Sequence, residues 1–148
     1  MKYGVYEAIE MADKFGIFNF ISIGKKGAIP KRISFTKTEL DSVYNLAFGD
    51  VDLDGEINDY FVSNDGDRNK ILATVVKVIG DYTDRYPDRW IFFTGSTNER
   101  TRLYRMAVGL YLEELSAKFE IYVHDGEKFM PFAKNLKTNA FLIKKKIL

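Results

Sequence analysis

The chain has 148 residues, of which 46% are hydrophobic, 15% aromatic and 29% charged; these are ordinary globular values apart from the twelve Phe and nine Tyr. Twenty-two Lys and Arg against 21 Asp and Glu leave a formal charge of +1, a small excess for a protein that would grip duplex nucleic acid through many phosphates. With no Cys and one His, His124, the chain has no disulfide, thiolate zinc site or Cys nucleophile, and cannot build a multi-His metal site by itself.

The length suits one domain with one core, able to bury roughly 70% of the surface of its unfolded chain without a metal or disulfide. The first residues carry Glu7, Glu10 and Asp13 and lack a signal-like apolar run. No stretch approaches the roughly 20 apolar residues that cross a bilayer. The expectation is a cytoplasmic protein with no membrane partner and no cofactor. Residues 1–13 are weakly patterned and read as a possible loose arm.

Residues 18–23 are aromatic and β-branched, as in a strand, and Gly24-Lys25-Lys26-Gly27 turns the chain. Residues 31–36 alternate, with Ile33 and Phe35 on one side and Arg32 and Ser34 on the other. Lys25, Lys26, Lys31 and Arg32 read as a basic hairpin surface. A third strand is expected over 43–48, and Asp54-Gly55 supplies the positive φ of a tight turn into a fourth over 57–63. Residues 50–57 also look like the first eight positions of a calcium loop, but position twelve is Phe61 where a bidentate Glu should stand, so a hairpin is the reading and no metal is expected. Phe18, Phe20, Phe35 and Phe48 at strand spacing read as core rather than as a base-stacking face.

The period then changes. Over 67–86, Ile71, Leu72, Val75, Val76, Val78, Ile79, Tyr82 and Tyr86 fall on one helical stripe, with Lys70, Thr74, Lys77, Asp81 and Asp84 opposite. Asn64, Asp65 or Asp67 can cap the start and Pro87 stops the end. Trp90-Ile91-Phe92-Phe93 is apolar on both faces, as in a central strand. A second helix is expected over 97–118, with Ser96 and Glu99 spaced as a capping box. Strands over 120–124 and 128–132 flank an Asp125-Gly126 turn, His124 reading as a surface residue, and a closing strand over 140–146 carries Lys144, Lys145 and Lys146 as a solvated edge. The order ββββ-α-β-α-βββ predicts an α+β fold, a mostly antiparallel sheet with two packed helices.

The segment Thr94-Gly95-Ser96-Thr97-Asn98-Glu99-Arg100-Thr101-Arg102-Leu103-Tyr104-Arg105 is the most distinctive. It resembles the TGST-x-x-RTRLYR signature of a family of uncharacterised bacterial proteins of about this length, found mainly in Bacteroidetes. Residues 44–50, 72–75 and 86–88 are similar as well. The resemblance implies a homologous fold and transfers no activity and no catalytic residues.

Read physically, the same segment has the makings of an anion site. A strand ends, Gly95 permits close approach, and helix N–H groups with the positive end of the dipole follow. The candidate ligand-binding residues are Gly95, Ser96, Thr97, Arg100, Arg102, Tyr104 and Arg105. Helical projection puts Arg100 on the inward arc with Leu103, Tyr104, Ala107 and Leu110, where a guanidinium needs an acid or a ligand. Arg102 and Arg105 project onto the polar arc. Neither nucleotide-loop glycine pattern is present. The leading expectation is a non-catalytic binding protein, a homo-oligomer such as a homodimer, that takes a phosphate-bearing ligand or nucleic acid. The alternatives are an enzyme on a phosphorylated or nucleotide substrate with Asp50 or Asp65 as base, and a structural partner of a toxin or phage-related system.

Overall fold

A computed structural model describes residues 4–12, 16–58, 66–94, 98–133, 138 and 140–147. Among them run β1 (Glu10–Ala12), β2 (Ile17–Gly24), β3 (Gly27–Lys37), β4 (Val43–Val51), β5 (Ile57–Asn58), α1 (Arg68–Arg85), β6 (Trp90–Thr94), α2 (Asn98–Leu110), α3 (Leu112–Lys118), β7 (Phe119–His124), β8 (Phe129–Pro131) and β9 (Ala140–Lys145). The result is an α+β fold with a mostly antiparallel nine-stranded sheet. The chain divides into two compact units, one of 1–36 with 46–84 and one of 37–45 with 85–148, so that β4 gives one end to each.

In the first unit β1, β2, β3 and the second half of β4 lie side by side, with β5 antiparallel on β4. Alternation along the strands sends Phe18, Phe20, Ile33, Phe35, Leu46 and Phe48 inward, where all are buried. Burying one such side chain is worth about 1.5–3 kcal/mol. Helix α1 covers this face: the Tyr82 ring stacks on Phe35 with centroids 3.7 Å apart and planes 7° from parallel. The helix stops at Arg85, two residues before Pro87, as the ring and its restriction on the preceding residue require. One expected polar-arc residue, Thr74, is in fact fully buried. Its hydroxyl donates to the Lys70 carbonyl (2.8 Å) and accepts the Tyr6 backbone N–H (2.9 Å), which is how a polar side chain sits in a core without loss.

That contact alters the view of the N-terminus. Of the stretch read as a possible loose arm, Glu10–Ala12 pairs with β2 as an edge strand, and Tyr6 packs on the unit with its ring stacked 5.5 Å from Phe20. At the Asp54-Gly55 turn, Gly55 adopts φ +80° and Asp52 Oδ1 accepts the N–H groups of Asp54 and Glu56, each at 3.0 Å. The acidic stretch thus closes a hairpin, and β5 pairs Val51 with Ile57 and Asp50 with Asn58. Residues 59–63 of the expected fourth strand lie outside the described residues, as do Asn64 and Asp65.

In the second unit the first residues of β4 pair in parallel with β6, followed by β9, β7 and β8, all antiparallel. The closing strand is therefore no edge: β9 inserts between β6 and β7. Its last lysines are not there to blunt an exposed ladder, since Lys144 and Lys145 pair with Glu120 and Phe119. The expected single helix over 97–118 is broken at Tyr111, whose φ of −111° and ψ of 21° leave the helical region. The bend is mild, for Tyr111 N–H still bonds Ala107 C=O and Leu115 N–H bonds Tyr111 C=O. Buried Tyr104, Ala107, Val108, Tyr111 and Leu115 form the inner stripe of the two helices.

Candidate functional site

The segment singled out by sequence leads from β6 into α2. Gly95, Ser96 and Thr97 lie outside the described residues, as does the side chain of Arg100, so the proposed capping box and the counter-ion of Arg100 do too. Tyr104 is buried, its ring meeting Phe93 edge-on with centroids 5.2 Å apart. It serves the packing of α2 on β6. Arg102 is exposed and Arg105 half-buried on the same helix.

The first unit holds a polar cluster that sequence pattern did not predict. Lys31, expected on a basic surface, is fully buried and its ammonium bonds the Asp50 carboxylate, itself 7% exposed. The reason is register: Lys31 stands opposite Phe20 on the inward side of β3, so the charge is sustainable only with its acid. Asp50, the candidate base of the enzymatic alternative, is held by that ammonium. Asp65, the other candidate base, lies outside the described residues.

Beside the pair, Ser22 is fully buried and donates to Asp67 Oδ2 at 2.5 Å, and the Tyr6 hydroxyl donates to the same oxygen. The Tyr6 oxygen also accepts the Ile23 N–H at 3.0 Å, and Lys70 Nζ lies 4.2 Å above its ring. Burial and the donated bond to Asp67 both raise the Tyr6 pKa. Asp67 precedes α1, but its carboxylate serves Tyr6 and Ser22, while its backbone carbonyl accepts the Ile71 N–H at 3.0 Å. The cluster fixes the N-terminal segment, the β2 end and the helix start to one another.

A different surface emerges in the second unit. Ile91 and Phe93 of β6, Phe141 and Ile143 of β9, and Ile121 and Val123 of β7 are buried on the side that α2 covers. The alternate residues point to the other side: Trp90 and Phe92, then Leu142 and Lys144, then Glu120, Tyr122 and His124, then Phe129 of β8. Most are half-buried, and Phe129 is 40% exposed. Two aromatic pairs reach diagonally over the sheet: Trp90 with Tyr122 across β9 at 5.9 Å, and Phe92 with Phe129 across β9 and β7 at 6.4 Å. Lys144 Nζ sits 5.3 Å from the Trp90 ring, within cation–π range. His124 meets Phe129 edge-on at 4.9 Å and accepts the Gly126 N–H at Nδ1 (3.1 Å), which holds its ring in the row.

Tyr122 donates to Glu120 Oε1 at 3.1 Å, and that bond raises the phenol pKa, so its hydroxyl stays a donor through the neutral range. The run Trp90-Ile91-Phe92-Phe93 is apolar at every position and so reads as buried on both faces, which conceals this platform. The signal was in β7, where Glu120, Tyr122 and His124 alternate with Ile121 and Val123 and mark a strand with only one fully apolar side.

The chain belongs to the family of unknown function DUF6934, whose model matches residues 2–146. No curated protein and no solved structure matches it. Among the described residues no helix is long and apolar enough to cross a membrane.

Proposed function

We propose that this member of a family without an assigned activity is a non-catalytic binding domain for a phosphate-bearing partner that also carries flat rings. The observation that supports it is the row of Trp90, Phe92, Tyr122 and Phe129 on the sheet face away from α2, with Lys144 set among the rings. Aromatic faces at a sheet surface bind flat π-systems, and a lysine beside them supplies the counter-charge for phosphate. Strand β6 runs from this face directly into segment 95–105, where Gly95, Ser96, Thr97, Arg100, Arg102 and Arg105 are proposed to meet phosphate oxygens through helix N–H groups and guanidinium forks. Tyr104 drops out of that set, since its ring is engaged with Phe93.

Trp90 is the only tryptophan, so its emission reports on this face alone. Titration with a nucleoside triphosphate or a single-stranded oligonucleotide should quench that emission, and Lys144→Gln should weaken the effect. Unchanged emission with every phosphate-bearing compound would reject the reading.

A further inference from the structure

Resting on that reading, the geometry points to single-stranded nucleic acid as the partner, with successive bases stacked across β6, β9, β7 and β8. Trp90 and Phe92 stand two residues apart on one side of β6, about 6.7 Å by the rise of a strand, comparable with the repeat of an extended sugar–phosphate chain. The two diagonal aromatic pairs, Trp90 with Tyr122 and Phe92 with Phe129, make the face longer than one nucleobase. That favours a chain of bases over a mononucleotide. A duplex hides its base faces, so an aromatic platform offers it nothing to stack on, and a net charge of +1 gives little phosphate grip without stacking.

Polar groups sit at the positions such a ligand needs. Asn45 on β4 pairs with Phe92 in the parallel register and lies on the same side, half-buried, where a carboxamide can both donate to and accept from a base edge. Lys144 in the middle of the platform and Lys128, exposed one residue before Phe129, give the cationic character that a phosphodiester chain complements. Glu120 stands opposite Lys144, and its carboxylate is bound by the Tyr122 hydroxyl. Stacking gains affinity ring by ring, which a row of separate aromatic faces suits.

The test is fluorescence anisotropy with a labelled single-stranded ten-nucleotide RNA and DNA, the matching duplex, and Trp90 emission followed in the same titrations. Single strands should bind and quench Trp90, and the duplex should bind at least tenfold more weakly. Phe129→Ala, at an exposed edge position, and Lys144→Gln should each weaken single-strand binding by about fivefold or more, with circular dichroism confirming an intact fold. Equal affinity for duplex and single strand, or full affinity in both variants, would overturn the inference. If a nucleoside triphosphate quenches Trp90 while the oligonucleotides do not, the single-strand assignment fails and the broader binding reading stands. If neither changes the emission, both fail.

Discussion

Lys31 and Asp50, brought together from β3 and β4, form a buried ion pair on the core face of the first unit. An exposed pair would contribute little; this one matters because neither charge has water to fall back on. Removing one partner by Lys31→Met or Asp50→Leu should cost about 3–5 kcal/mol, since the other charge stays buried after losing this counter-charge. The double variant should recover most of that loss. Urea unfolding of the three proteins checks it, and additive losses would show that the charges do not depend on each other.

The Tyr6 hydroxyl gives a pH dependence whose sign follows from its raised pKa. The folded value lies above the ordinary 10.0, so the stability from this bond is complete below that value and is lost as pH rises through the folded value. Tyr122, half-buried on β7, titrates in the same direction, so the Tyr6→Phe variant is needed to isolate Tyr6. Thermal unfolding from about pH 9 upward should fall more steeply in the wild-type protein than in Tyr6→Phe. Parallel curves would mean that the phenol does not hold the N-terminal segment.

Gly55 sits at φ +80° with open space where a side chain would stand, so the constraint there is backbone conformation alone. Gly55→Ala should destabilise by about 1 kcal/mol. Asp52→Ala should act similarly by freeing the N–H groups of Asp54 and Glu56. Calorimetry of the two variants measures both effects.

Much of the fold was legible because its periods are strong. The stripe over 67–86 marked α1 to within a residue at each end, Asp54-Gly55 marked its turn, and alternation identified Phe18, Phe20, Phe35 and Phe48 as core. Features that depend on register or strand order were not legible. Lys31 looked like surface because Asp50 meets it only once β3 and β4 are aligned, and Lys144 to Lys146 looked like an edge because nothing local says that β9 enters between β6 and β7. Edge strand β1 is three exposed residues with no period to read. The bend at Tyr111 keeps its hydrogen bonds, and its one local sign, Gly109 two residues earlier, is a glycine that a continuous helix also tolerates. At the site, the motif over 95–105 stood out as a local pattern, whereas the aromatic platform is assembled from four strands and showed only as the one-sided alternation of β7.

The guanidinium groups of α2 offer a graded test of the phosphate-binding proposal. Helical projection sets Arg100 with Tyr104 and Ala107, both buried, and Arg102 on the exposed side. Arg100→Ala should therefore lower affinity for a labelled single-stranded oligonucleotide more than Arg102→Ala does. Anisotropy at two salt concentrations separates loss of a phosphate contact, which flattens the salt slope, from loss of fold. Identical affinities in the two variants would remove Arg100 from the site.

The binding account is tested most directly by the indole N–H resonance of Trp90, a single signal in a proton–nitrogen spectrum because the chain has one tryptophan. Added single-stranded oligonucleotide should shift that resonance together with the backbone signals of Phe92, Tyr122, Phe129 and Lys144. Shifts confined to other residues, or none at saturating oligonucleotide, would contradict the assignment of this sheet face as the binding surface.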